Sequence, residues 1–183
     1  MALPHKHTYL DLCVRSELKP SDLLLYHKTM YHRVELVLAI GKVGTQIPTE
    51  QATDYIVAYG VGLDLTRRDQ QSEAKRSGGP WDVAKALDQG APMASLTKAP
   101  PPMNANIWCK VNGEMKQQGT LSQMIWSHAE IIHHLSERFT LCPGDLIFTG
   151  TPAGVGSMKI GDTVEAGIDG LPGLQLSLKG RSK

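Results

Sequence analysis

The stretch Tyr31–Lys42, "YHRVELVLAIGK", decides how the chain folds. From Val34 onward, Val34, Leu36, Leu38 and Ile40 alternate with Glu35, Val37 and Ala39. Almost nothing polar is left for water, which predicts a strand buried on both faces. Two charges interrupt it. Arg33 and Glu35 lie two residues apart and therefore share a face. The pair is either an internal salt bridge or what is left of a site that wanted two carboxylates.

Upstream, residues 1–30 are polar and aperiodic and read as a loosely attached segment, with "LKPSDLLLYHK" offering a short helix after Pro20 capped by Ser21. Downstream, "PTEQATDYIVAYGVGLDL" opens with a Thr49 cap and a short helix, then predicts a strand from Tyr55 to Leu65. "IWCKVNGEMKQQG" predicts two strands joined by Asn112-Gly113, because both central residues of a type I′ turn need positive φ. In "TLSQMIWSHAEIIHHLSERF", Leu121, Met124, Ile125, Ile132, Leu135 and Phe139 fall at helical spacing and predict one amphipathic helix packed on a sheet. "PGDLIFTG" and "IGDTVEAG" each set a Gly-Asp turn before a strand, and "GLQLSLKG" adds a further strand. Together these predict a mixed, β-rich α+β fold with few helices.

At 183 residues, 41% hydrophobic and 20% charged, the chain is long enough for one sizeable core of ordinary globular type. Nineteen basic against eighteen acidic residues leave a formal charge of +1, which points to small molecules or proteins as partners and to no nucleic acid or anionic membrane. Cys13, Cys109 and Cys142 are widely spaced with no CxxC, so reduced thiols in a cytoplasmic or, in a eukaryote, mitochondrial setting are expected, and no disulfide. No apolar run approaches the roughly 18 residues of a membrane span.

The chemistry gathers around Asp64. On its strand Asp64 shares a face with Ala58, Gly60 and Gly62. Small residues beside a buried acid either let another backbone pack closely or leave room for a ligand. The residues that follow favour a ligand: Arg67, Arg68, Asp69 and Gln71 in "DLTRRDQQ", and Lys85 in "PWDVAKALD", include several groups able to hold a carboxylate or a keto oxygen. A solvated loop has the same local composition. "FTGTPAGVG", residues 148–156, supplies Thr151 and backbone amides. It lacks Gly-Lys-Ser/Thr and a following long helix, so it is no nucleotide loop, and it reads as a tight anion-binding turn or a bare glycine turn. His128, His133 and His134 do not share one helix face in the i,i+4 manner and read as surface or packing histidines, while Cys109 and Cys142 read as small core fillers.

In this order and at these separations, "HRVELVLAIGK", "YGVGLDLTRRDQQSEAKRSGGPWDVAKALD", "KVNGEMKQQGTLSQMIWS" and "GDLIFTGTPAGVG" resemble the fumarylacetoacetate hydrolase family, closest to its acylpyruvate and fumarylpyruvate hydrolases. The similarity runs from about Tyr31 to the C-terminus. It implies a β-sandwich roll over residues 31–183 behind a divergent or truncated segment 1–30, and a homodimer. It also implies Mg²⁺ or Mn²⁺ held through two glutamates of a His-x-Glu-x-Glu-Leu strand and the aspartate of a Leu-Asp-x-Thr strand. Glu35 and Asp64 fall on two of those metal positions, and Arg33 stands where the third ligand belongs. Arg68, Gln71, Lys85 and Thr151 fall on positions that hold the carboxylate and keto oxygens of a keto acid substrate, with Lys85 and Thr151 also holding the enolate charge. The implied reaction is metal-dependent hydrolysis of a carbon–carbon bond in a β-diketo acid through a pyruvate enolate.

Two departures bear on that activity. Residues 1–30 carry no Asn-Tyr-x-x-His-x-x-Glu-like lid motif to activate water. Arg33 replaces attraction of a doubly charged ion by repulsion, and at about 4 Å each pair of unit charges interacts by roughly 4 kcal/mol at an effective dielectric of 20. Arg33 is therefore expected to pair with Glu35 or Asp64 and take the metal's place, weakening or abolishing metal binding, while His32 points to the other face. The alternatives are a non-catalytic homologue that binds a keto acid or an intact paralogue, and an oxaloacetate decarboxylase or isomerase of the same family.

Overall fold

Strands form where apolar residues alternate or run on, and the one quoted first is the most deeply placed. The computed structural model describes residues 22–25 and 30–180. In chain order the strands are β1 (Asp22–Leu25), β2 (Met30–His32), β3 (Val34–Ile40), β4 (Ile56–Leu63), β5 (Thr66–Arg67), β6 (Asn106–Val111), β7 (Glu114–Thr120), β8 (Leu146–Phe148), β9 (Gly156–Met158), β10 (Thr163–Ile168) and β11 (Leu174–Gly180). The α-helices are α1 (Arg68–Ser77), α2 (Asp82–Lys85) and α3 (His128–Ser136), and 3-10 turns occupy Thr49–Tyr55 and Leu121–Gln123.

The strands make a five-stranded sheet in the order β1-β11-β10-β6-β7 and two three-stranded sheets, β5-β2-β9 and β4-β3-β8. β3 runs antiparallel between β4 and β8, and all seven of its residues are buried. One apolar core joins the sheets, drawing Leu36 and Leu38 from β3, Val61 and Leu63 from β4, Ile107 from β6, Val164 from β10 and Leu176 from β11. This is the mixed, sheet-rich α+β architecture expected from the sequence.

The Asn112-Gly113 hairpin forms as predicted, with φ of 53° and 78°. Both Gly-Asp turns form too: Gly144 and Gly161 have φ of 93° and 96°, and the following aspartates accept from backbone amides, Asp145 from Cys142 at 2.9 Å and Asp162 from Lys159 at 2.7 Å.

Four local expectations are corrected. Asp22–Leu25 is a strand paired in parallel with β11, not part of a short helix, because sheet pairing outweighs a weak local cap signal. Pro20, Ser21 and Cys13 lie outside the described residues, as do most of residues 1–30. Thr49 does not cap its helix. Pro48 holds that position with the extended φ of −62° its ring imposes, and the turn is 3-10. The long helix over 120–139 is instead a 3-10 turn and the nine-residue α3. Ser127 starts α3 with a reciprocal cap: its hydroxyl accepts from Glu130 N at 3.3 Å, and its own N–H donates to Glu130 Oε2 at 2.7 Å. Ile131, Ile132 and Leu135 reach the core as α3 packs on the Thr49–Tyr55 turn, whereas Ile125 is 95% exposed. Finally, Cys109 is buried as expected but Cys142 is exposed and fills no core.

Candidate active site

The pairing of β3 with β4 sets the site. Val34 lies opposite Leu63 and Glu35 opposite Gly62, so Arg33, just before β3, meets Asp64, just after β4. Asp64 N donates to Arg33 O at 2.9 Å. On the side-chain level, Arg33 Nε stands 3.3 Å from Asp64 Oδ2 and 3.7 Å from Glu35 Oε1. The other oxygen of Glu35 accepts from Gly150 N at 2.8 Å.

Lys85, at the end of α2, is buried and donates to Asp64 Oδ2 and, at 2.7 Å, to Thr66 Oγ1. α1 presents Arg68 and Gln71 three residues apart on one face, and Arg68 Nη1 donates to the buried Gln71 Oε1 at 2.6 Å. The Arg68 guanidinium also lies 5.6 Å above the Tyr31 ring. Thr151, in the loop after β8, donates to Val34 O at 2.7 Å. Arg33, Glu35, Asp64, Arg68, Gln71, Lys85 and Thr151 all line a single cleft of about 880 Å³, which apolar side chains such as Ile107, Leu121 and Met124 also line.

Other residues singled out in the sequence lie elsewhere. Arg67 turns away to donate to Val83 O at 3.0 Å, and neither it nor Asp69 lines the cleft. The glycines of β4 serve close packing rather than a ligand: a Cβ on Gly60 would meet Leu96 Cδ2 at 2.7 Å, and one on Gly62 would meet Phe148 Cε1 at 2.6 Å. Residues 90–97 run along that strand's edge, with Leu63 N donating to Pro92 O and Ala94 N to Val61 O. Room for a ligand begins at Asp64. His133, His134 and Glu137 bring one ligand atom each within 4.8 Å, outside the cleft, and His133 Nδ1 donates to Ile47 O at 2.8 Å.

Gln117 and Thr66 were not singled out in the sequence. Thr66 sits two residues beyond Asp64, so the period of two could have found it. Gln117 had no such signal, because "KQQG" does not say which glutamine faces inward and the ladder shifts register between Cys109 and Lys110. Its Oε1 accepts from His32 Nδ1 at 2.9 Å and Val34 N at 3.2 Å, and its Nε2 donates to Thr151 Oγ1 at 2.8 Å and Pro152 O at 2.9 Å. His32 thus faces away from the cleft, and burial holds its pKa below the usual value.

Burial first, and the charge of Asp64 second, push the Glu35 carboxyl up to about 7, against the pull of Arg33, the Gly150 amide and Lys85. Burial lowers the Lys85 ammonium, with Asp64 opposing. Burial alone pushes the Cys109 thiol up to about 12, which leaves it inert. A divalent ion requires an excess of anionic oxygen. Here the charges of two carboxylates are matched by Arg33 and Lys85, and Arg33 Nε, buried and without a hydrogen bond, lies between the carboxylates. The donor set does not fit a divalent ion.

Residues 20–178 match the family model described as fumarylacetoacetate (FAA) hydrolase C-terminal. The chain is 43% identical over 157 residues to the mouse (Mus musculus) protein named oxaloacetate tautomerase FAHD1, mitochondrial, covering 84% of this chain and 71% of that one. It is 41% identical over 155 residues to the mitochondrial oxaloacetate decarboxylase of Dictyostelium discoideum, covering 83% and 71%. In structure it resembles a fumarylpyruvate hydrolase from Pseudomonas aeruginosa in complex with Mn²⁺ and pyruvate, with a TM-score of 0.83, 42% identity and coverage of 87% of this chain and 70% of that one. Motifs, fold and the match over most of its length agree: the chain belongs to the fumarylacetoacetate hydrolase C-terminal family.

Proposed function

We propose that the chain binds a 2-keto acid in this cleft and interconverts its keto and enol forms through the enolate, with an oxaloacetate-like dicarboxylate as the substrate class. The observation that carries this reading is the convergence of Arg33, Arg68 and Lys85 on one cleft. Arg68, held by Gln71, is placed to take the substrate carboxylate as a planar fork. Loss of a proton from C3 sends the C–H electron pair into a C2–C3 double bond and puts negative charge on the keto oxygen. Lys85, already desolvated, is the ammonium that holds this charge where it develops. Of the two carboxylates of the cleft, Asp64 is paired with Lys85 and Arg33, and Glu35, whose carboxyl burial raises to about 7, is the base available to carry the proton from carbon to oxygen. Tautomerisation consumes no water and releases no fragment. The names of the mouse and Dictyostelium relatives support this chemistry and a mitochondrial location.

A second reading is cleavage of an acylpyruvate, favoured by the apolar lining of Ile107, Leu121 and Met124, which would suit an acyl chain, and by the likeness to a fumarylpyruvate hydrolase. Cleavage needs an activated water, and His32 faces away from the cleft. One experiment separates the readings: proton NMR of oxaloacetate follows keto–enol exchange, and pyruvate release from acetylpyruvate follows cleavage. Faster exchange with no pyruvate release is expected. Pyruvate release would install the hydrolase reading, and binding with neither reaction would leave a non-catalytic keto acid binder.

A further inference from the structure

We propose that the Arg33 guanidinium performs the work of a divalent cation in this cleft, so that the chain binds the planar oxyanions of a 2-keto acid without metal. This rests on the 2-keto acid reading above and goes further by naming the group that receives the two oxygens. Arg33 Nε lies between Glu35 and Asp64 in two ion pairs, at 3.7 Å and 3.3 Å, and its side chain keeps 27% of its surface open. Arg33 lines the cleft, and among the described residues Nε is the one nitrogen of its guanidinium that is both buried and without a hydrogen bond. A guanidinium paired with carboxylates at Nε keeps its terminal N–H groups as a planar fork, the geometry that meets two coplanar oxygens. Lys85 holds Asp64 from another side, so the two cations occupy the carboxylates and leave them no charge for an added ion. The arrangement is built around a fixed positive charge supplied by the chain.

Oxalate, a planar dicarboxylate resembling the enolate of pyruvate, is the probe. Calorimetry of the folded parent chain with oxalate in excess EDTA is expected to show binding at an affinity unchanged within about threefold by Mn²⁺. The electron paramagnetic resonance signal of Mn²⁺ mixed with the parent alone is expected to remain that of the free aqueous ion. In Arg33→Glu the pattern inverts: Mn²⁺ becomes bound, oxalate affinity in EDTA falls about a hundredfold, and added Mn²⁺ restores it. If that variant does not fold, Arg33→Ala is expected to show the same loss in EDTA. Oxalate binding by the parent that requires Mn²⁺ would overturn the role given to Arg33 and leave the 2-keto acid reading intact. No oxalate binding under either condition would remove that reading, and this inference with it.

Discussion

A lysine on a short helix looks like a surface group, yet Lys85 is buried with its ammonium on Asp64 and Thr66. Its removal therefore strikes stability as well as chemistry. Lys85→Met keeps the aliphatic stem but leaves Asp64 short of a partner, so urea unfolding should show a loss of about 3 kcal/mol, as expected for breaking a buried pair. Enolate exchange at substrate saturation should fall by about a hundredfold or more; a variant with parental exchange would take Lys85 out of the mechanism. Glu35 gives a pH signature. Its folded pKa, about 7, lies above the ordinary 4.5, so its contribution to stability is fully present below 4.5 and is lost as pH rises toward 7. Facing it are Asp64, Arg33, Lys85 and the Gly150 amide. His32 and His128, lowered by burial, act in the opposite sense below 6.5, so the measure is the difference between Glu35→Gln and the parent. Thermal unfolding should favour Glu35→Gln increasingly from pH 4.5 to 7, by on the order of 2 kcal/mol. A flat difference would mean that Glu35 is ionised throughout. At this scale the lining of the cleft was legible where charge broke an apolar strand, as at Arg33 and Glu35, or clustered after one, as at Arg68, Gln71 and Lys85. Lys85's burial was not, since nothing local distinguishes a buried lysine from a solvated one.

Among the elements, turns were read more securely than helices, because a turn needs particular residues at particular φ values while apolar spacing alone does not show where a helix starts. Leu121, Met124 and Ile125 kept helical spacing with α3 but lie before its Ser127 cap. Two glycines at positive φ separate backbone conformation from crowding. Gly113, φ 78°, has open space around a Cβ, so Gly113→Ala should cost only about 1 kcal/mol. At Gly154, φ 97°, a Cβ would lie 2.0 Å from Lys116 O, so the loop carrying Thr151 must move off β7. Gly154→Ala should weaken oxalate binding at least about tenfold and destabilise the fold by about 3 kcal/mol or more, read by calorimetry and urea unfolding. Equal effects at the two glycines would mean that the loop is free to shift.

Across the whole molecule, the sheet-rich class followed from counting strands and turns, whereas the division into three sheets did not, because pairing between distant strands leaves no local trace. No helix among the described residues is long and apolar enough to cross a membrane. Val43, Val57, Ile125 and Ile160 nevertheless stand 47% or more exposed. The homodimer that the family resemblance implies predicts the mass of two chains in sedimentation equilibrium at micromolar concentration; one chain's mass would refute it. One amide belongs to all three sheets at once. Gln117 rises from β7, takes hydrogen bonds from His32 of β2 and Val34 of β3, and gives both of its own to the Thr151–Pro152 loop. Its two side-chain protons are thus a built-in spectroscopic gauge of assembly: in a nitrogen–proton correlation spectrum they should be a well-dispersed pair exchanging slowly with deuterium, collapsing toward the position of free glutamine as soon as any one sheet lets go.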